Sequence, residues 1–63
     1  MDYVCELVLR DGSTEERRPH TFSAAVGPGT EMHFDGADWV IVEVNERQGL
    51  TPEVVAFRSV SSP

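Results

Sequence analysis

Lysine is missing from this chain, and every one of its basic residues is an arginine. Cysteine is nearly missing too, with Cys5 alone, so no disulfide can staple the monomer. A lone thiol suits a reducing interior. The apolar run Trp39 to Val42 is far too short to cross a bilayer. Met1-Asp2-Tyr3-Val4 has neither the basic start nor the apolar stretch of a signal peptide. A cytoplasmic, non-membrane protein is the expectation. Positive charge is scarce: eleven acidic side chains against five basic ones give a net charge of -6. Such a surface repels phosphate backbones, so nucleic-acid binding is disfavoured. Abundant Arg, Ala, Val and Gly without lysine fits a GC-rich bacterial coding sequence.

Sixty-three residues make a single domain spanning 1–63. Chains of this size bury only about 60% of the surface their unfolded form exposes. Oligomerisation or a protein partner is therefore the expected source of extra stability.

The pattern is strand-like throughout. Tyr3 to Arg10 alternates, with Tyr3, Cys5, Leu7 and Leu9 on one face and Val4, Glu6, Val8 and Arg10 on the other. Asp11-Gly12 ends that run with a tight turn. Thr14 to Phe22 carries a charged block, Glu15 to Arg18, and then Pro19, which together read as a guarded edge strand. Ser23 to Gly29 reads as a loop. Thr30 to Phe34 and Trp39 to Glu46 flank Asp35-Gly36 as a hairpin. Gly49 marks another turn region, and Thr51-Pro52-Glu53 could open one helical turn. Glu53 to Val60 is the last strand, after which Ser61 to Pro63 should fray. Five short strands at this spacing predict an all-β fold, a single small closed or half-open barrel. In it, the doubly apolar ribbon Trp39 to Val42 is expected to bend and belong to both barrel halves. Val40 and Val42 would then fill the interior, leaving Trp39 and Ile41 on the other surface.

The spacing of Val26, Gly27, Gly29, Met32, Phe34, Asp35, Gly36, Trp39, Ile41 and Val44 resembles the rhythm of small SH3-like barrels of bacterial origin. Many such proteins are domains of unknown function. The resemblance implies a five-stranded SH3-like barrel and carries no catalytic residues across. Peptide-binding SH3 domains cluster several tyrosines for polyproline, and this chain has only Tyr3.

The chemistry-bearing residues point away from catalysis. Cys5, His20 and His33 lack the closely spaced pairs of a zinc site, and Cys5 lies on an apolar face. Cys5 or Ser13 with a histidine would need a third positioned group and a water-excluding cleft. Glu31, Asp35 and Asp38 do not follow the spacing of a calcium loop and suit turn formation instead. Gly27-Pro28-Gly29 is not followed by the lysine of a phosphate loop. No catalytic residue, metal or cofactor is expected. Arg17 and Arg18, with His20, form the one basic cluster, muted by Glu15 and Glu16. Trp39, with Phe34, His33 and Ile41 beside it, is a candidate binding platform, because a rigid aromatic ring is immobilised at little entropic cost. Its competing role is to cover an open end of the barrel. The preferred reading is a non-enzymatic interaction module acting through a protein partner or a homodimer. A nucleic-acid-associated barrel, accessory to transcription or translation, is the alternative.

Overall fold

The computed structural model describes residues 2–59, and no helix occurs among them. Five strands follow in order: β1 (Tyr3–Asp11), β2 (Thr14–Phe22), β3 (Glu31–Phe34), β4 (Ala37–Asn45) and β5 (Glu53–Arg58). The expected all-β class is thus present, with β1 and β2 falling where the alternation and the Asp11-Gly12 turn place them. Thr51 opens no helical turn, and β5 begins at Glu53. Val60, expected in the last strand, and Ser61 to Pro63 lie outside the described residues.

Turn chemistry sets the two hairpins. Gly12 has φ 63 at the first central position of the β1–β2 turn, the conformation that glycine adopts without Cβ strain. In the β3–β4 turn, Asp35 (φ 54) and Gly36 (φ 78) are both left-handed, the signature of the primed turn that matches strand twist.

The strands form one sheet in the order β2-β1-β5-β4-β3, curled into a half-barrel. β1 pairs antiparallel with β2 and parallel with β5, while β4 pairs antiparallel with both β5 and β3. The middle strand is therefore β5, which corrects the expectation that the Trp39 ribbon is the shared one. β4 does bend, at a register shift between Ile41 and Glu43. It nevertheless lies next to the edge, because β5 inserts between the two hairpins and takes the central place.

The inner, concave face holds the core. Leu7, Ile41, Val54 and Ala56 are fully buried there, joined by Cys5, Leu9 and Trp39. Tyr3, Phe22, Val26, Met32, Phe34, Ala37 and Val44 pack around them, half-buried. This inverts the expected phase of β4: Trp39 and Ile41 face the interior, whereas Val42 is exposed on the sheet's bulge. A run that is apolar at every position has no period from which to read a phase. The hairpin supplies it, pairing Phe34 with Ala37 and Met32 with Trp39 on the core side.

No backbone ladder joins β2 to β3, so the barrel is not closed by hydrogen bonds. Side chains meet instead. The His20 ring lies 5.4 Å from that of Phe34 and 4.6 Å from that of Phe22, both edge-on, and the Arg18 guanidinium lies 5.1 Å from the Phe34 ring centre. The loop carrying Val26 is tied to β4 by Gly29 N–H to Ile41 O (2.7 Å) and Ile41 N–H to Thr30 O (2.8 Å).

β2 is an edge, as its charge and proline predict. Counting back from the two-residue turn, hydrogen-bonded pairs fall at Leu9–Glu16, Leu7–Arg18 and Cys5–His20. Pro19, opposite Glu6, thus faces away from the ladder. Glu6 N–H donates the other way, to Pro52 O at 2.9 Å. Pro19 costs no ladder bond and removes a donor that an added strand would need.

Cys5 is buried and unpaired, and burial pushes its thiol upward. An aromatic disulfide reagent should therefore find no reactive thiol in the native protein and one per chain after unfolding in guanidinium. Rapid labelling under native conditions would contradict this placement of β1.

Candidate functional site

The outer, convex face has no second layer, yet two of its side chains are buried. Val8 is 2% exposed and Val55 8%. The register shows how. Cross-strand neighbours put Arg17, Val8, Val55 and Glu43 in one row, and Glu15, Arg10, Phe57, Val40 and Glu31 in the next. Valine on β1 meets valine on β5 at the centre, and long charged side chains lean over them from β2.

Arg17 makes that cover. From β2 it reaches across β1 to β5, where Nη1 lies 2.7 Å from Glu53 Oε2 and 3.1 Å from Glu6 Oε1. Its Nε lies 3.2 Å from Glu15 Oε2, which places Glu15 between Arg17 and Arg10 (3.6 Å). Arg47, in the β4–β5 loop, approaches Glu6 at 3.7 Å and donates to Thr51 O at 2.7 and 3.0 Å. Asn45 donates to Glu53 Oε1 at 3.2 Å. The result is a strap of alternating charge over four segments of chain. Each exposed pair in it contributes little alone, and the network's main effect is to order the side chains over Val8.

The strap also sets its own titration. Arg17's hydrogen bond and then Asn45's hold the Glu53 carboxyl below the ordinary glutamate range, and the same bond raises the Arg17 guanidinium further. A carboxylate depressed by folding stabilises the native state above its unfolded pKa and loses that contribution as pH falls through its folded value. Glu53→Gln should accordingly melt below the parent protein at pH 7. The gap should narrow as pH falls through the folded value of Glu53, below which both forms are neutral at this position. An unchanged gap across that range would mean that the Arg17–Glu53 pair carries no stability.

Beside the strap lies an open groove of about 480 Å³, floored by Val8 and Val55 and lined by Val42, Phe57, Arg10 and Glu43 among others. Phe57 and Val42 are 44% and 43% exposed, and the Arg10 guanidinium stands 5.6 Å from the Phe57 ring centre. An aromatic ring and an aliphatic side chain left open over an apolar floor form a surface that another molecule can cover.

Of the six residues singled out from sequence, Arg17 alone lines this groove. Trp39 and Ile41 belong to the core, and Trp39 Nε1–H donates to Phe34 O at 3.1 Å. The indole is therefore internal packing at the β3–β4 end, and its face is not an open platform. Phe34 is half-buried at the β2–β3 seam. His33 is exposed, with Nδ1 2.8 Å from Asp38 Oδ1. Arg17 and Arg18 are neighbours in sequence but lie on opposite faces, Arg17 in the strap and Arg18 paired with Glu16 on the inner side. They form no joint basic patch, because adjacent strand residues always point apart. The groove residues carried a signal nonetheless. Val8 and Val55 are apolar on the second face of strands whose first face is already apolar, a doubled apolarity that a solvated face would not need.

All five arginines are engaged within the chain, since Arg58 pairs with Asp11 at 3.0 Å. Glu31, Asp35, Glu43 and Glu46 have no ion-pair partner among the described residues. No group of three or more metal-ligating side chains occurs among the described residues. No family model, curated protein or solved structure matches the chain.

Proposed function

We propose that this chain is a non-enzymatic interaction module, acting through a protein partner or a homodimer. The observation that carries the reading is the convex face, where Phe57 and Val42 stand open over the buried Val8–Val55 floor. A small domain gains stability when such a surface is covered. The likeness to SH3-like barrels belongs to the same proposal, supported by the curled five-stranded sheet and the glycine–aromatic rhythm of Val26 to Val44. So does a cytoplasmic setting, supported by the single reduced-type cysteine. The alternative of nucleic-acid association draws no support from the arginines, each of which already has an acidic partner.

Sedimentation and affinity capture test the reading. A dimer, or a captured protein that Phe57→Ser releases, is the expected result. A monomer that captures nothing and turns over a small molecule would overturn it.

A further inference from the structure

Resting on that reading, we infer that the convex groove receives an extended basic segment of a partner protein. One apolar side chain of that segment sits on Val8, Val42, Val55 and Phe57, and a lysine or arginine beside it pairs with Glu43. Three observations lead there. The groove's walls differ in character: on the β1–β2 side Arg10 and Arg17 are already neutralised by Glu6, Glu15 and Glu53, whereas Glu43 across the floor has no cationic partner among the described residues. The neighbouring rows add Glu31 and Asp38, so the β3–β4 half of this face is acidic, with His33 alone against it among the described residues.

Among the described residues the chain has no unpaired arginine or lysine side chain to supply. It lacks lysine, its five arginines are all paired, and its net charge is -6. A second copy would bring acid to acid, and a nucleic acid would bring phosphate to carboxylate. A basic segment of another protein alone satisfies both the apolar floor and the open carboxylate, and the domain's overall charge would speed its encounter.

The test uses the whole chain, labelled with nitrogen-15. The probe is a pool of short peptides, each with one leucine, phenylalanine or tyrosine flanked by lysines at alternating positions. The same pool with glutamates in place of the lysines is the control. Lysine peptides should shift the amides of Val8, Val42, Glu43, Val55 and Phe57, and the glutamate pool should shift none. Glu43→Lys should weaken binding at least about tenfold, as should 0.5 M salt. Glu43→Gln, with a milder loss, serves if the charge reversal disturbs the amide spectrum of the free protein. Equal binding of both pools, shifts confined to the β2–β3 seam, or no shifts at all would overturn the inference. If a dimer or captured partner survives Glu43→Lys while the peptides fail, the broader reading stands without this site. If peptides, partner and dimer are all absent, both fall.

Discussion

Replacing Ala56 by aspartate is expected to leave the chain unfolded at 25 °C. Ala56 is fully buried in the middle of β5, opposite Leu9 on one side and Ile41 on the other. Both cross-strand neighbours are aliphatic, and burying a charge without a partner across the ladder costs several kcal/mol. A single domain of this size is stabilised by only about 3–5 kcal/mol, so the native state cannot absorb that cost. Topology sharpens the effect. The β1–β2 and β3–β4 hairpins share no ladder, and β5 is what joins them. Phe57→Ser, one residue along, places its change on the convex face and should cost within about 1 kcal/mol. Collapsed amide dispersion for Ala56→Asp beside a native spectrum for Phe57→Ser is the predicted pair. A folded Ala56→Asp variant would mean that β5 is not central.

The second large effect is at Trp39. Truncating a buried tryptophan to alanine costs about 3–5 kcal/mol, again the whole stability of so small a domain. Trp39→Phe keeps most of the packing and loses the bond from Nε1 to Phe34 O. It should cost about 1–3 kcal/mol and leave a folded protein with a lower melting temperature. Were Trp39 an exposed platform, Trp39→Ala would instead melt normally and fail only in binding. Thermal denaturation followed by circular dichroism separates the two outcomes.

Part of this fold is legible in the amino-acid sequence. β1 was legible because Tyr3, Cys5, Leu7 and Leu9 form an unbroken apolar face, whereas the alternate positions carry Glu6 and Arg10 beside Val4 and Val8. The turns were legible because Gly12, Asp35 and Gly36 suit left-handed backbone. The guarded β2 edge followed from Pro19 and its charged neighbours. The phase of Trp39 to Val42 was not, since apolar residues occupy both parities and the decision comes from pairing with β3. Strand order was not legible either: the parallel match of Val8 with Val55 joins residues far apart in the chain, and no local pattern encodes it. The same pairing makes the groove, whose floor shows in the sequence only as the doubled apolarity of β1 and β5 at Val8 and Val55. The separation of Arg17 from Arg18 needed only strict period-two counting along β2.

Amide hydrogen exchange across the sheet tests this arrangement most directly. A strand flanked by β1 and β4 should hold its amide protons longest, so Val54, Val55 and Ala56 should exchange only through global unfolding. Outward-facing amides at Arg17 and Thr21 on β2, and at Glu31 and His33 on β3, should exchange fastest among the strand residues. Slow exchange along both edges of β4 with rapid exchange in β5 would contradict the central insertion of β5, and with it the convex groove.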